Sequence, residues 1–372
     1  RTVSICPYSK ETDFLVEMAE HLPLSPLDLY DDEWEGPLAA RWLNAGLSGQ
    51  DTPNILRAGL KRLRTSQHFL VQEKHRLATE LAMKQKALDN PRRKPLVYVA
   101  EQDSIDAQQE CLELFLSYLP KRYPNLYTYD ENAQTITVHG GYDCVFSIEE
   151  YKDQPLELCE RIVQEDLILM RPARSSDPFE AYAMAAAAVV FSFNELAPKL
   201  GQPVEFIHAP VPGFEAHLRK SLELTFSKLK STQPLWRNNW GIAPSGTLDE
   251  PLYGSDDAQE HRTFTQPTID AMKSKWLKVE YQTIRRLPRS NNLLFTVKTM
   301  ADPLHSLEKY PLAAECLANS IRGMSPSMRA YKGIVDNETA DVLLAYLRSI
   351  CENKETDTTT PPTSATGYKK EQ

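Results

Sequence analysis

Apolar and polar positions change period several times along the chain, and those changes divide it into elements. From Ser104 to Tyr118, the residues Ala107, Cys111, Leu114, Phe115 and Tyr118 recur at helical spacing. The period then falls to two. LYTYDENAQTITVHG gives strands over Leu126–Tyr129 and Thr135–Val138 around an Asp130–Asn132 turn, a hairpin signal. Three helices are expected next, over Pro155–Leu169, Pro178–Phe193 and Phe214–Leu229. The last carries a stripe of Phe214, Leu218, Leu222, Phe226 and Leu229. Strands return near Trp236–Ile242, Leu277–Arg286 and Leu293–Lys298, and helices close the chain over Pro303–Ile321 and Glu338–Cys351. Upstream, Asn54–Asn90 reads as a long helical region with a wide solvated face.

Two strands, a block of helices and three more strands form the element order of a PAS-like α+β fold. In that fold a five-stranded antiparallel sheet and its helices cup a ligand. The expected organisation is an N-terminal arm and helical extension over 1–95 and a ligand-binding domain over 96–300. A C-terminal helical extension over 301–351 and a Thr/Pro-rich disordered tail over 352–372 complete it.

Composition narrows the function. The 372 residues are 41% hydrophobic and 25% charged, enough for a large core. A net charge of -9 argues against nucleic acid or an anionic membrane as the main partner. No window holds the roughly eighteen uninterrupted apolar residues of a membrane helix; Ala183–Phe193 is too short and reads as a buried helix. The six cysteines, Cys6, Cys111, Cys144, Cys159, Cys316 and Cys351, are scattered, with no C-x-x-C, zinc or iron–sulfur spacing. They read as reduced thiols of an intracellular, cytoplasmic protein. The chain begins at Arg1 rather than at a methionine, which leaves a leader or anchor upstream open.

Four stretches carry candidate chemistry. VEYQTIRRLPRSNNLLFTVKT, from Val279 to Thr299, sets Glu280, Gln282 and Thr283 among apolar neighbours. A buried polar group without a partner costs about 1–3 kcal/mol, so the strand belongs to a polar network, a lined pocket or a hairpin with one wet face. EFIHAPVP, from Glu205 to Pro212, stiffens the backbone after His208 with two prolines. A rigidly aimed, apolar-flanked imidazole suits an axial haem ligand, or is a core histidine bonded to backbone; His217 is the rival ligand. WRNNWGI, from Trp236 to Ile242, places Arg237 and Asn239 on one face of a strand and Trp236, Asn238 and Trp240 on the other. An arginine there polarises a bound anion or dioxygen, or stacks on a tryptophan. RIVQEDLILM reads as a half-buried helix with Glu165 and Asp166 in its polar stripe. Phosphate-loop, dinucleotide, H-E-x-x-H and G-x-S-x-G motifs are absent.

These pieces, in order, resemble the haem-dependent oxidative N-demethylases, represented by the α subunit of dimethylamine-oxidising enzymes. The matching segments are Arg57-Ala58-Gly59-Leu60, Val163–Leu167, Lys199-Leu200-Gly201 with Ile207–Pro212, Arg237–Trp240, Glu280–Pro288 and Tyr331-Lys332-Gly333. The resemblance implies a haem-binding PAS-like domain that demethylates a small secondary amine such as dimethylamine, using dioxygen and electrons from a flavin or iron–sulfur reductase partner. It implies haem b with His208 as the iron ligand. Arg237, Asn239 and Glu280 become catalytic candidates, and Trp240, Gln282 and Thr283 line the cofactor. Three alternatives stay open: a haem-PAS sensor or carrier that binds oxygen without turnover, a divergent member oxidising a secondary-metabolism intermediate, and a divergent scaffold that has lost haem. The chain departs from the family pattern at FSFNELAP before Lys199, at Tyr281 and at Phe69.

Overall fold

A computed structural model describes residues 59–63, 69–174, 182–191, 196–248 and 267–357. The N-terminal arm and most of the C-terminal tail lie outside the described residues. The strands are β1 (Lys61–Arg62), β2 (Tyr98–Ala100), β3 (Tyr127–Asp130), β4 (Thr135–Val138), β5 (Cys144–Ser147), β6 (Asp166–Pro172), β7 (Tyr182–Ala188), β8 (Leu235–Ala243), β9 (Trp276–Arg286) and β10 (Leu293–Pro303). Seven of them build one antiparallel sheet in the order β1-β8-β9-β10-β6-β7-β2. The protein is thus α+β with a large antiparallel sheet. The expected five-stranded sheet gives way to one of seven strands: β3 and β4 form a separate sheet with β5, while β6, β7, β2 and β1 join β8–β10.

One expected helix is helical only in its first half, and the described part of another is a strand. Pro155–Ile162 is helical, but the chain leaves the helix at Val163 and runs into β6; Tyr182–Ala188 is β7. Both strands are covered on both faces, so neither shows the alternation that identifies a half-buried strand. Of the expected Asn54–Asn90 helical region, Lys74–Asp89 is helical and residues 59–63 and 69–73 are not, while 54–58 and 64–68 lie outside the described residues. The chain just before Lys74 is held non-helical by side chains that take its amides. Val71 N donates to Glu165 Oε1 at 2.6 Å, Gln72 N to Tyr123 Oη at 3.1 Å, and Glu73 N to Gln164 Oε1 at 2.5 Å.

Glu165 and Asp166 therefore belong to a buried polar cluster rather than to a helix stripe. Lys84 Nζ lies 2.7 Å from Glu160 and 3.6 Å from Asp166, with all three side chains 0% exposed. Lys298 Nζ lies 2.6 Å from Glu80 and 3.2 Å from Glu73. Asp166 Oδ1 accepts from Val190 N at 2.9 Å, which ties the start of β6 to the chain leaving β7. Five carboxylates (Glu73, Glu80, Glu160, Glu165, Asp166) face two lysines, and burial pushes Glu73, Glu160 and Glu165 towards their protonated forms.

The sheet separates two apolar cores. On one face Trp236, Trp240, Val279, Tyr281 and Leu294 pack with helix Ile105–Arg122 and the C-terminal helices Pro311–Arg322 and Asn337–Asp357. On the other, Ile168, Met170, Met184, Ile284 and Leu293 pack with Val204, Phe214, Leu218 and Leu222. The expected Phe214–Leu229 helix is present in two pieces, Phe214–His217 and Arg219–Lys228. This second face is covered over β6 and β7 and half-open over β8 and β9, where every other residue stays partly exposed. Among the described residues no helix is long and apolar enough to cross a membrane.

Candidate functional site

Arg237, Asn239, Glu280 and Gln282 project from that half-open face. Antiparallel register sets Arg237 opposite Gln282 and Asn239 opposite Glu280, so alternation puts all four on one side. Asn239 Nδ2 donates to Glu280 Oε2 at 3.1 Å, and Gln282 Nε2 donates to the same oxygen at 2.7 Å. Two amides converging on one oxygen fix the orientation of the carboxylate. Beside them, Arg237 Nε has no hydrogen-bond partner among the described residues. Burial lowers the Arg237 pKa against the opposing pull of Glu280 and Tyr331.

A fifth group, to which the sequence reading gave no role, enters from the C-terminal helical region. Helix Pro326–Tyr331 ends at Lys332, and Gly333 follows with φ +83°. A Cβ on Gly333 would stand 2.0 Å from the Ile242 carbonyl oxygen, so only glycine permits this approach to β8. Ile242 N locks it by donating to the Lys332 carbonyl at 2.8 Å. Lys332 Nζ consequently donates to Asn239 Oδ1 and lies 5.6 Å from the Trp240 ring centroid. Burial and the charge of Arg237 bring the Lys332 pKa down to about 8, although Glu280 opposes them.

His208 follows the short helix Val204–Ile207. Its Nδ1 lies 2.8 Å from the Val204 carbonyl oxygen. A carbonyl only accepts, so Nδ1 carries the proton and Nε2 keeps its lone pair. The ring stacks on Phe214 with centroids 5.0 Å apart and planes 14° apart. Burial lowers the His208 pKa, the Val204 carbonyl opposes this, and the charge of Arg237 lowers it further. A neutral imidazole oriented by a backbone carbonyl, with Nε2 unprotonated, is the arrangement metal-ligating histidines adopt. Among the described residues no three His, Cys, Asp or Glu side chains converge as a metal site. An iron at His208 has to bring most of its own ligands, as haem does. An open groove of about 780 Å³ runs along the same segment, lined by Pro203, Phe206, Val211, Pro212 and Phe214. His217 is exposed.

The structure does not gather every residue singled out in the sequence. Thr283 lies on the opposite face of β9 from Glu280 and Gln282, with Oγ1 2.6 Å from Thr296 Oγ1 and 3.3 Å from the Phe69 carbonyl. Trp240 is buried in the larger core and touches the polar group only by carrying Lys332 over its ring. The signal for Lys332 was the glycine after it, whose meaning depends on a contact between segments some 90 residues apart.

Residues 59–342 match the family described as haem-dependent oxidative N-demethylase, alpha subunit-like. That span contains His208, Arg237, Asn239, Glu280, Gln282 and Lys332, and it is well over half of the 372 residues. The chain belongs to the haem-dependent oxidative N-demethylase, alpha subunit-like, family.

Proposed function

We propose that this protein is the haem-binding subunit of an oxidative N-demethylase that acts on a small secondary amine such as dimethylamine. Dioxygen is the oxidant, and electrons come from a separate reductase of flavin or iron–sulfur type. The observation that carries the reading is His208, whose Nδ1–H is committed to the Val204 carbonyl and whose Nε2 is left to bind iron. Bound haem b supplies the redox chemistry at its iron. The residues of the chain bind and orient. The Glu280 carboxylate, held by Asn239 and Gln282, is the counter-ion for an ammonium substrate. Arg237 offers an uncommitted donor to negative charge in a partly desolvated setting. An alpha-subunit-like family description fits a partner subunit for electron supply.

The test is the absorption spectrum of the full chain expressed with haem precursor, before and after dithionite, for His208→Ala and His217→Ala. Loss of the haem spectrum in the first and retention in the second is the expected result. Haem retained in His208→Ala, or a wild-type protein that cannot be loaded at all, sinks the assignment. Arg237→Ala is expected to keep haem and to speed autoxidation of the oxygen complex; an unchanged rate removes Arg237 from the oxygen side.

A further inference from the structure

The Lys332 ammonium is placed where it competes with any cation that approaches Glu280. The chain of contacts is short: Lys332 Nζ donates to Asn239 Oδ1, and Asn239 Nδ2 donates to Glu280 Oε2. We propose that Lys332 is a specificity-determining positioning residue, held on Asn239, that sets the charge Glu280 presents to an amine substrate. A cationic amine is admitted once Lys332 has given up its proton. This inference rests on the amine reading of Glu280 given above.

Three observations support it. First, the placement is built in. Gly333 and the Ile242 N to Lys332 O bond fix the backbone, so Lys332 is delivered by main-chain geometry rather than by chance contact of a mobile side chain. Second, both protonation states of Lys332 donate to Asn239 Oδ1, because a neutral amine still carries N–H groups. Deprotonation therefore changes the charge without releasing Asn239 or Glu280. Third, the Lys332 transition has a pH window of its own. The charged and titratable groups that act on it are Arg237 and Glu280, and Tyr331 and His208 lie close to the same Arg237. Burial raises the Tyr331 pKa, so Tyr331 titrates above Lys332, which titrates at about 8, and His208 is committed to iron in the haem-loaded chain. A secondary alkylamine, about as basic as free lysine, stays protonated through this window.

The experiment is calorimetric titration of dimethylammonium chloride into the haem-loaded, oxidised full chain from pH 6.5 to 9.5, without reductant. Wild type, Lys332→Met and Lys332→Arg are compared, together with a ¹³C NMR titration of the Glu280 carboxyl in each. Wild type is expected to bind about tenfold tighter at the upper pH, the size of an interaction of about 1.4 kcal/mol, with its midpoint near 8. Lys332→Met is expected to bind tightly and without pH dependence across the range, and Lys332→Arg weakly throughout. The same pH dependence in wild type and Lys332→Met overturns the proposal, as does Lys332→Arg behaving like Lys332→Met. If dimethylammonium binds none of the three, the amine reading fails. A Glu280 carbon signal that steps near pH 8 in wild type alone would then still support the charge-setting role, and a signal without that step would overturn it.

Discussion

Lys298→Met tests whether the buried ion cluster holds the sheet to its helices. Lys298 is 0% exposed and bridges Glu80 at 2.6 Å and Glu73 at 3.2 Å, both on the N-terminal side of the molecule, from the middle of β10. Methionine keeps the length and most of the volume, so the cavity cost is small. What is lost is the only lysine in contact with these two carboxylates among the described ion pairs. Removing one partner from a buried pair costs about 3–5 kcal/mol, because the other charge stays buried and uncompensated. Glu80 keeps the donation from Gln164 Nε2 at 2.7 Å, which places the expectation towards the lower part of that range. A domain of this size then melts about 10 °C lower.

The pH dependence separates this mechanism from simple loss of packing. Burial pulls the Lys298 pKa down, but Glu73 and Glu80 more than offset it, so its contribution lasts until pH climbs past the ordinary lysine range. Burial raises Glu73, partly offset by Lys298. A raised carboxyl pKa means the folded state binds its proton more tightly than the unfolded chain. Its contribution is complete below about pH 4.3 and is lost as pH rises through the folded value. Without Lys298 that value rises further, and the variant recovers at low pH by protonating Glu73. Urea denaturation at pH 5.5 and 8 is the assay. The cost of Lys298→Met should be smaller at pH 5.5 than at pH 8. A cost below about 1 kcal/mol at pH 8, or one that does not change with pH, refutes the reasoning.

Two further outcomes follow from the site. Gly333→Ala puts a Cβ 2.0 Å from the Ile242 carbonyl at a backbone φ of +83°, so a stability loss of at least ~2–3 kcal/mol is expected in thermal denaturation; a melting temperature equal to wild type would show that the helix end can shift freely. Arg237→Met removes a positive charge that depresses both Lys332 and His208, so both titrations move to higher pH. NMR titration of the Lys332 side chain reads this, and a midpoint still near 8 would mean that burial alone sets it.

The legible parts of the sequence were those with one covered face. β8 and β9 alternate because one side packs on Trp236, Val279 and Tyr281 while the other stays half-open, and the period-two signal survives; β10, buried at nearly every position, is an apolar run placed as a strand by the turn before it. β6 and β7 lost it because both of their sides are covered, and DLILM and YAMAAAA offer only apolar runs, which periodicity alone does not assign to helix or strand. Alanine explains the helical reading of β7: it is the best helix former, yet here it serves as the small residue of a sheet packed on both faces. The same logic divides the candidate site. Strict alternation along Glu280-Tyr281-Gln282-Thr283 already places Thr283 behind the sheet, where its hydroxyl meets Thr296 and Phe69. The Glu280–Gln282–Asn239 group is local in the sheet and could be anticipated strand by strand. Lys332 could not, because its place depends on a contact of its own backbone with Ile242 of β8, some 90 residues away, which no local pattern announces. The residues that order the site most firmly are therefore those that join distant segments. Gly333 is the clearest case, since its lack of a side chain lets one backbone reach another and carries a charge to a carboxylate that local pattern had already found.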